Sequence, residues 1–185
     1  MDKLDKLFEE TLRDIYYAEK AILKNLPKMA RKATSDKLRS AFDEHINQTE
    51  EQVARLEQIF EFIGKAPRGK RCPAIDGLAE EASEIMQEAE DGTVRDAGML
   101  AAAQAVEHYE IARYGTLAAW AEKLGMKDAV KLLETTRKEE KETDMNLSEL
   151  AVSEINIEAD AGDMSGKESR AVRKKSGSQA SERRA

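Results

Sequence analysis

Two short links and one long one join four amphipathic segments of this chain, and that rhythm restricts its topology more than any other feature. In the first segment, residues 2–33, Leu4, Phe8, Leu12, Ile15, Glu19, Ile22, Leu26 and Met29 recur at steps of three and four, which is one face of a helix. The second, 36–63, repeats Leu38, Phe42, His45, Thr49, Gln52, Leu56, Ile59 and Ile63 in the same way. The third, 93–124, uses Leu100, Ala103, Glu107, Glu110, Tyr114, Leu117, Ala121 and Leu124, and the fourth, 127–155, uses Ala129, Leu133, Thr136, Glu140, Asp144, Leu147 and Ala151. A few residues separate the first two segments and the last two, so each pair is expected to form an antiparallel hairpin. Roughly 28 residues lie between the hairpins, far more than a tight turn requires. They comprise the Gly- and Pro-punctuated loop GKAPRGKRCPAIDG and a shorter helix expected at 76–90. Such a crossover can run the height of a bundle whose helices, at 1.5 Å per residue, are about 45 Å tall. The second and third long helices can then lie parallel. The expected fold is an all-α four-helix bundle of two antiparallel hairpins, with a long crossover carrying a short fifth helix.

The chain has 185 residues, enough for one domain and a tail. The bundle is expected over residues 1–156 and a flexible basic tail over 157–185, because the helical pattern dissolves and large apolar residues become scarce. A net charge of -7 argues against a nucleic-acid surface on the core and leaves the basic tail as the one place for weak nucleic-acid contact. No apolar run reaches the ~18 residues of a membrane span. The start, MDKLDKLFEETLRDIYY, lacks the pattern of a secretory signal, so a cytoplasmic protein that does not enter membranes is expected. The lone Cys72 excludes an internal disulfide framework. No Gly-rich phosphate loop, Cys-based zinc pattern or nucleophile–His–acid arrangement is present.

Polar residues interrupt the apolar stripes where a core should be dry. Counted from each hairpin's own turn, Glu19, Glu110 and Glu140 all stand about 22 Å along their helices, and Gln52, Glu107 and Asp144 stand about 27–28 Å along. His45 falls a turn lower, at about 16 Å, where bonding to Thr49 or a nearby acid is expected ahead of a ligand or supporting role. A buried carboxylate is costly unless it is paired, protonated or bound to a metal. Several at one height are what a metal centre needs. An oxygen-dominated donor set suits iron or manganese better than zinc or copper. The expected ligands are Glu19, Gln52, Glu110, Glu140 and Asp144, around a dinuclear centre, with His45 and Glu107 as further ligands or supports.

The stretches DIYYAEKAILKNLPKMA, DEHINQTEEQVARLEQIF, RDAGMLAAAQAVEHYEIARYGTL and EEKETDMNLSELA resemble the YciE/YciF-like bacterial stress proteins of the ferritin-like superfamily. The resemblance spans about residues 4–155, and EHYEIARYGTL is its most specific part. It implies a ferritin-like bundle, a homodimer, a di-iron or di-manganese centre, and a stress-response role with weak ferroxidase or peroxide-consuming activity. The wider ferritin-like pattern supplies one Glu from each of two helices and a Glu-x-x-His pair from each of the others. Glu19 and Glu110 fit the single-Glu positions. Thr49 and Gln52 replace the pair on the second helix, and Glu140 with Thr143 is what remains of it on the fourth. That departure favours an alternative, a non-enzymatic structural or adaptor bundle, dimeric and with a degenerate metal site.

Overall fold

The computed structural model describes residues 3–161 and is helical throughout its regular elements. Helices α1 (Leu4–Lys32), α2 (Asp36–Phe62), α4 (Gly92–Lys123) and α5 (Lys127–Leu150) form the bundle. Helix α3 (Pro73–Glu88) rides in the crossover, packed against α1 and α4. The architecture is the ferritin-like four-helix bundle that the connection lengths and the resemblance imply. In the square of packed neighbours, α1 lies against α2 and α4, and α5 lies against α2 and α4. The parallel pair α2 and α4 therefore sits on a diagonal.

Local chemistry sets the helix ends. Ser35 Oγ accepts the Leu38 N–H at the start of α2, and Asp91 accepts the Thr93 and Val94 N–H groups at the start of α4. Gly64 and Gly125 follow the ends of α2 and α4 with φ of 66° and 75°, the left-handed region that glycine adopts without steric cost. Helix α1 runs unbroken through Pro27. Beyond Leu150 the chain makes a π-helical turn, Ala151–Ile155, and returns to helix over 156–161. Helix thus continues into the stretch expected to open the tail. The rest of that tail, 162–185, lies outside the described residues.

The two hairpin turns point to opposite ends of the bundle. At one end, Asp96 near the start of α4 accepts hydrogen bonds from Thr34 N, Thr34 Oγ1 and Ser35 N, and Glu154 in the π-turn pairs with Lys37. At the other, Phe8, Ile63, Leu124 and Met126 line one shared depression. The parallel placement of α2 and α4 requires this geometry. It also changes which polar residues meet inside.

Between the ends the core is a continuous apolar column. Phe8, Leu12, Ile15, Phe42, Leu56, Ile59, Leu117 and Leu133 all lie at or below 2% exposure. The column is interrupted at mid-height by fully buried carboxylates.

Candidate metal centre

Glu19, Glu110 and Glu140 are each fully buried and come from α1, α4 and α5. All three stand in the middle third of their helices, so the opposed hairpins do not separate them. The residues of α2 behave differently. Measured from the end where α2 finishes, His45 stands about 27 Å up, level with Glu107, while Gln52 drops to about 16 Å. The expectation that Gln52 joins the upper acids and His45 lies a turn away is reversed, because the two turns do not share a floor.

One ligand atom from each of His45, Glu107, Glu110 and Glu140 lies within 4.8 Å of the others, and all four residues are buried. Three helices, α2, α4 and α5, thus present one imidazole and three carboxylates to a single point. His45 Nδ1 is 3.3 Å from Glu107 Oε1, and His45 Nε2 has no hydrogen-bond partner. Neither carboxylate oxygen of Glu107, Glu110 or Glu140 is hydrogen-bonded. Buried polar atoms are seldom left in this state. Their clustering is the direct structural sign that these groups fit a cation.

Glu19 stands beside the four with a partial satisfaction of its own. Tyr114 Oη donates a short hydrogen bond to Glu19 Oε1, and Oε2 is free of partners. Gln52 lies between Glu139 and Glu140 of α5: its Nε2 donates to Glu139 Oε2 at 3.4 Å, its amide also touches the Glu140 carboxyl and helps hold its pKa down, and its buried Oε1 accepts nothing. Thr49 Oγ1 is turned back onto its own helix, donating to His45 O at 2.8 Å. Asp144 is not brought into the group. It follows Glu140 by four residues, a rotation of about 40° off the seam. It sits half-buried in the α4–α5 groove, where Gln104 Nε2 donates to it at 3.2 Å and His108 Nε2 lies 3.3 Å away.

Electrostatics follow from this crowding. Burial, then the charge of Glu140, pushes the Glu19 carboxyl well above the usual carboxylate range, and the Tyr114 hydroxyl partly opposes the rise. Burial and Glu140 do the same to Glu107, and burial with Glu19 and Glu140 raises Glu110. Burial pushes Glu140 up to about 7, against the opposing pulls of its contact with Glu107 and of the Arg55 cation. Burial alone drives His45 down to about 4, so it is a neutral imidazole with a lone pair to offer at neutral pH. Carboxylates that resist ionisation side by side, next to a neutral His, are prepared for a cation that would neutralise them together.

The positive charge nearest the acids is Arg55, on α2. Its guanidinium grips Glu139 through Nη1 at 2.5 Å and Nη2 at 2.8 Å, and Nη1 also donates to Thr136. The pair is bidentate, and the Arg55 charge reaches Glu19 and Glu140. The periodicity of the sequence did not reveal Arg55, because it lies one position off the α2 stripe. A second feature was equally hidden. A cavity between α1, α3 and α4 is lined by His45 and Glu107 on its inner side and by alanines and aliphatic residues elsewhere.

Comparison with known proteins supports the fold. Residues 3–160 match the family described as a domain of unknown function, DUF892. Protein YciF of Escherichia coli (strain K12) is 44% identical over 161 residues, which is 86% of this chain and 97% of that protein. The crystal structure of the E. coli stress protein YciF superposes with a TM-score of 0.81, covering 84% of this chain and 99% of that one. YcfI from Rhodopseudomonas palustris, to which a structural role has been ascribed, is 50% identical with a TM-score of 0.78, over 80% of this chain and 94% of its own. A protein from Xanthomonas campestris pv. campestris, 18% identical with a TM-score of 0.68 over 87% of this chain and 99% of that one, shares the fold alone. No helix among the described residues is long and apolar enough to cross a membrane. The chain belongs to the DUF892 family and is YciF-like.

Proposed function

We propose that this YciF-like chain is a metal-binding stress-response protein that holds iron or manganese in the middle of its bundle and has weak ferroxidase or peroxide-consuming activity. The observation that carries the reading is the group His45, Glu107, Glu110 and Glu140, buried, within mutual ligand reach, and almost without hydrogen bonds. Three carboxylates and one imidazole suit iron or manganese. Glu19, adjacent to Glu110 and tethered to Tyr114, is the residue available to a second ion, as a dinuclear centre requires. A bound ion of this kind would supply redox chemistry and positive charge to a small oxidant.

The protein's own part is placement and exclusion. Helices α4 and α5 fix the three carboxylates, and the surrounding apolar column keeps water away. Glu140, poised near pH 7, is the carboxyl in the group best placed to exchange a proton as a cation enters.

A second reading has its own support. Helix α2 contributes one charged or imidazole ligand where the wider pattern has two, since Thr49 is turned onto its own helix and Gln52 is an uncharged amide shared between Glu139 and Glu140. In this reading the chain is a dimeric structural or adaptor bundle that has kept a degenerate site. Metal analysis of protein from iron- or manganese-supplemented cells separates the readings. Metalloprotein character predicts about one or two ions per chain, lost in Glu110→Gln and Glu140→Gln variants that remain folded. Wild-type protein that purifies without metal, and takes up none from Fe(II) or Mn(II), would leave the structural role.

A further inference from the structure

The His45–Glu107 edge of the centre does not face packed core. It faces a cavity of about 40 Å³ between α1, α3 and α4. Leu26, Ile75, Ala79, Ala82, Ala103 and Val106 form its walls, and almost no polar surface is exposed inside. The cavity exceeds the ~10–15 Å³ that one water needs, yet apart from Asn25 and its His45–Glu107 end the walls offer water no hydrogen-bond partner. Six of its wall residues, Asn25 and Ala79 among them, are half-buried, so the space reaches toward the protein surface. His45 and Glu107, 3% and 0% exposed, line its inner end, with His45 Nε2 and both Glu107 oxygens unpartnered.

Helix α3 is seated to roof this space. Tyr17 Oη donates to Asp76 at 2.8 Å, Arg71 pairs with the same carboxylate, and Cys72 Sγ lies 3.0 Å from Tyr109 Oη. Gly98 on α4 brings the far part of α3 close, since a Cβ there would lie 2.4 Å from Ile85 Cγ2. The roof is held at both ends, and small side chains leave the gap in between.

We propose that this cavity is the binding pocket and entry path for a small apolar gas, dioxygen, and that it delivers the gas to the His45–Glu107 edge. A metal cation cannot use such a route, because an apolar passage charges its full desolvation cost. Hydrogen peroxide, with two hydroxyl groups to desolvate, is disfavoured for the same reason. The destination rests on the proposed metal centre; the occupancy of the cavity does not.

The decisive measurement is methyl relaxation by NMR on the metal-free full-length chain under dioxygen pressure. Methyls of Leu26 and Ile75 should relax about fivefold faster than those of Leu12 and Leu133, which are also buried but lie outside the cavity. Ala82→Met should abolish the difference by filling the space. Ala79→Met, nearer the surface, serves if Ala82→Met does not fold. In the metal-loaded protein the folded variant should slow dioxygen-driven Fe(II) oxidation about tenfold while leaving Co(II) affinity within about twofold. Uniform relaxation across buried methyls overturns the pocket, and unchanged oxidation in a variant that no longer binds the gas overturns the route. A chain that binds no Co(II) but shows the relaxation pattern refutes the metal centre and leaves the gas pocket standing.

Discussion

At the scale of single residues, the carboxylates of the core oppose folding and favour ion binding. Glu110 is fully buried and bonded to nothing, with Glu19, Glu107 and Glu140 around it. Replacing it by the neutral, nearly isosteric Gln removes a charge that must be either desolvated or protonated. Glu110→Gln is therefore expected to stabilise the metal-free protein at pH 8, by about 1 kcal/mol, and to weaken Mn(II) or Co(II) binding at least about tenfold. Urea unfolding and metal titration of the same variant check both halves. A variant that is destabilised and still binds metal normally would show that Glu110 is a structural hydrogen-bonding group instead. The composition of this cluster was partly legible in the sequence: acids on an apolar stripe stand out, and Glu19, Glu107, Glu110 and Glu140 are all buried together. Asp144 was drawn in by its height and by its place four residues after Glu140 on the stripe. That its offset of about 40° carries it into the α4–α5 groove is visible only once α5 is set against α4.

At the scale of elements, the connections decide where each polar residue ends up. Short–long–short spacing was enough to fix the bundle and the parallel α2–α4 diagonal. The same spacing puts the hairpin turns at opposite ends, which brings His45 level with Glu107 and carries Gln52 toward Glu139. Heights counted from each turn miss this, although residues at mid-helix survive the error and those of α2 do not. Tertiary contacts such as Arg55–Glu139 and Asp96 with the Thr34–Ser35 turn carry no periodic signal, and so could not be read from one sequence. Asp96 is the clearest case of an element held by one side chain. It is 2% exposed and accepts from two backbone N–H groups and the Thr34 hydroxyl, tying the α1–α2 turn to the start of α4. Asp96→Ala would remove these bonds from a turn that water reaches only in part, since Thr34 is exposed and Ser35 half-buried, an expected loss of about 2 kcal/mol. Chemical denaturation measures it; a loss below about 1 kcal/mol would mean that water replaces the carboxylate.

At the scale of the whole molecule, the metal-free protein should lose stability on the alkaline side. Each core carboxyl has a folded pKa above its unfolded value, so the folded state holds more protons than the unfolded chain at neutral pH. Stability then falls as pH rises, beginning above the ordinary carboxylate range, passing through about 7 for Glu140 and continuing higher for Glu19, Glu107 and Glu110. His45, whose folded pKa is lowered to about 4, acts oppositely and removes stability as pH falls below its unfolded value near 6.5. Four carboxyls outweigh one imidazole above pH 7, so the melting temperature of the metal-free chain should be higher at pH 6 than at pH 8.5. A saturating ion should erase that slope and, at about a hundred times its dissociation constant, add about 2.7 kcal/mol, or roughly 8 °C. A melting temperature that is flat in pH without metal would contradict the burial of ionisable acids. The centre itself is tested most directly by anomalous diffraction from a crystal soaked in Mn(II) or Fe(II). The structure predicts a peak enclosed by His45, Glu107, Glu110 and Glu140, with Asp144 outside coordination distance. A metal peak only at surface carboxylates, or an ordered water network filling the interior in its place, would contradict it.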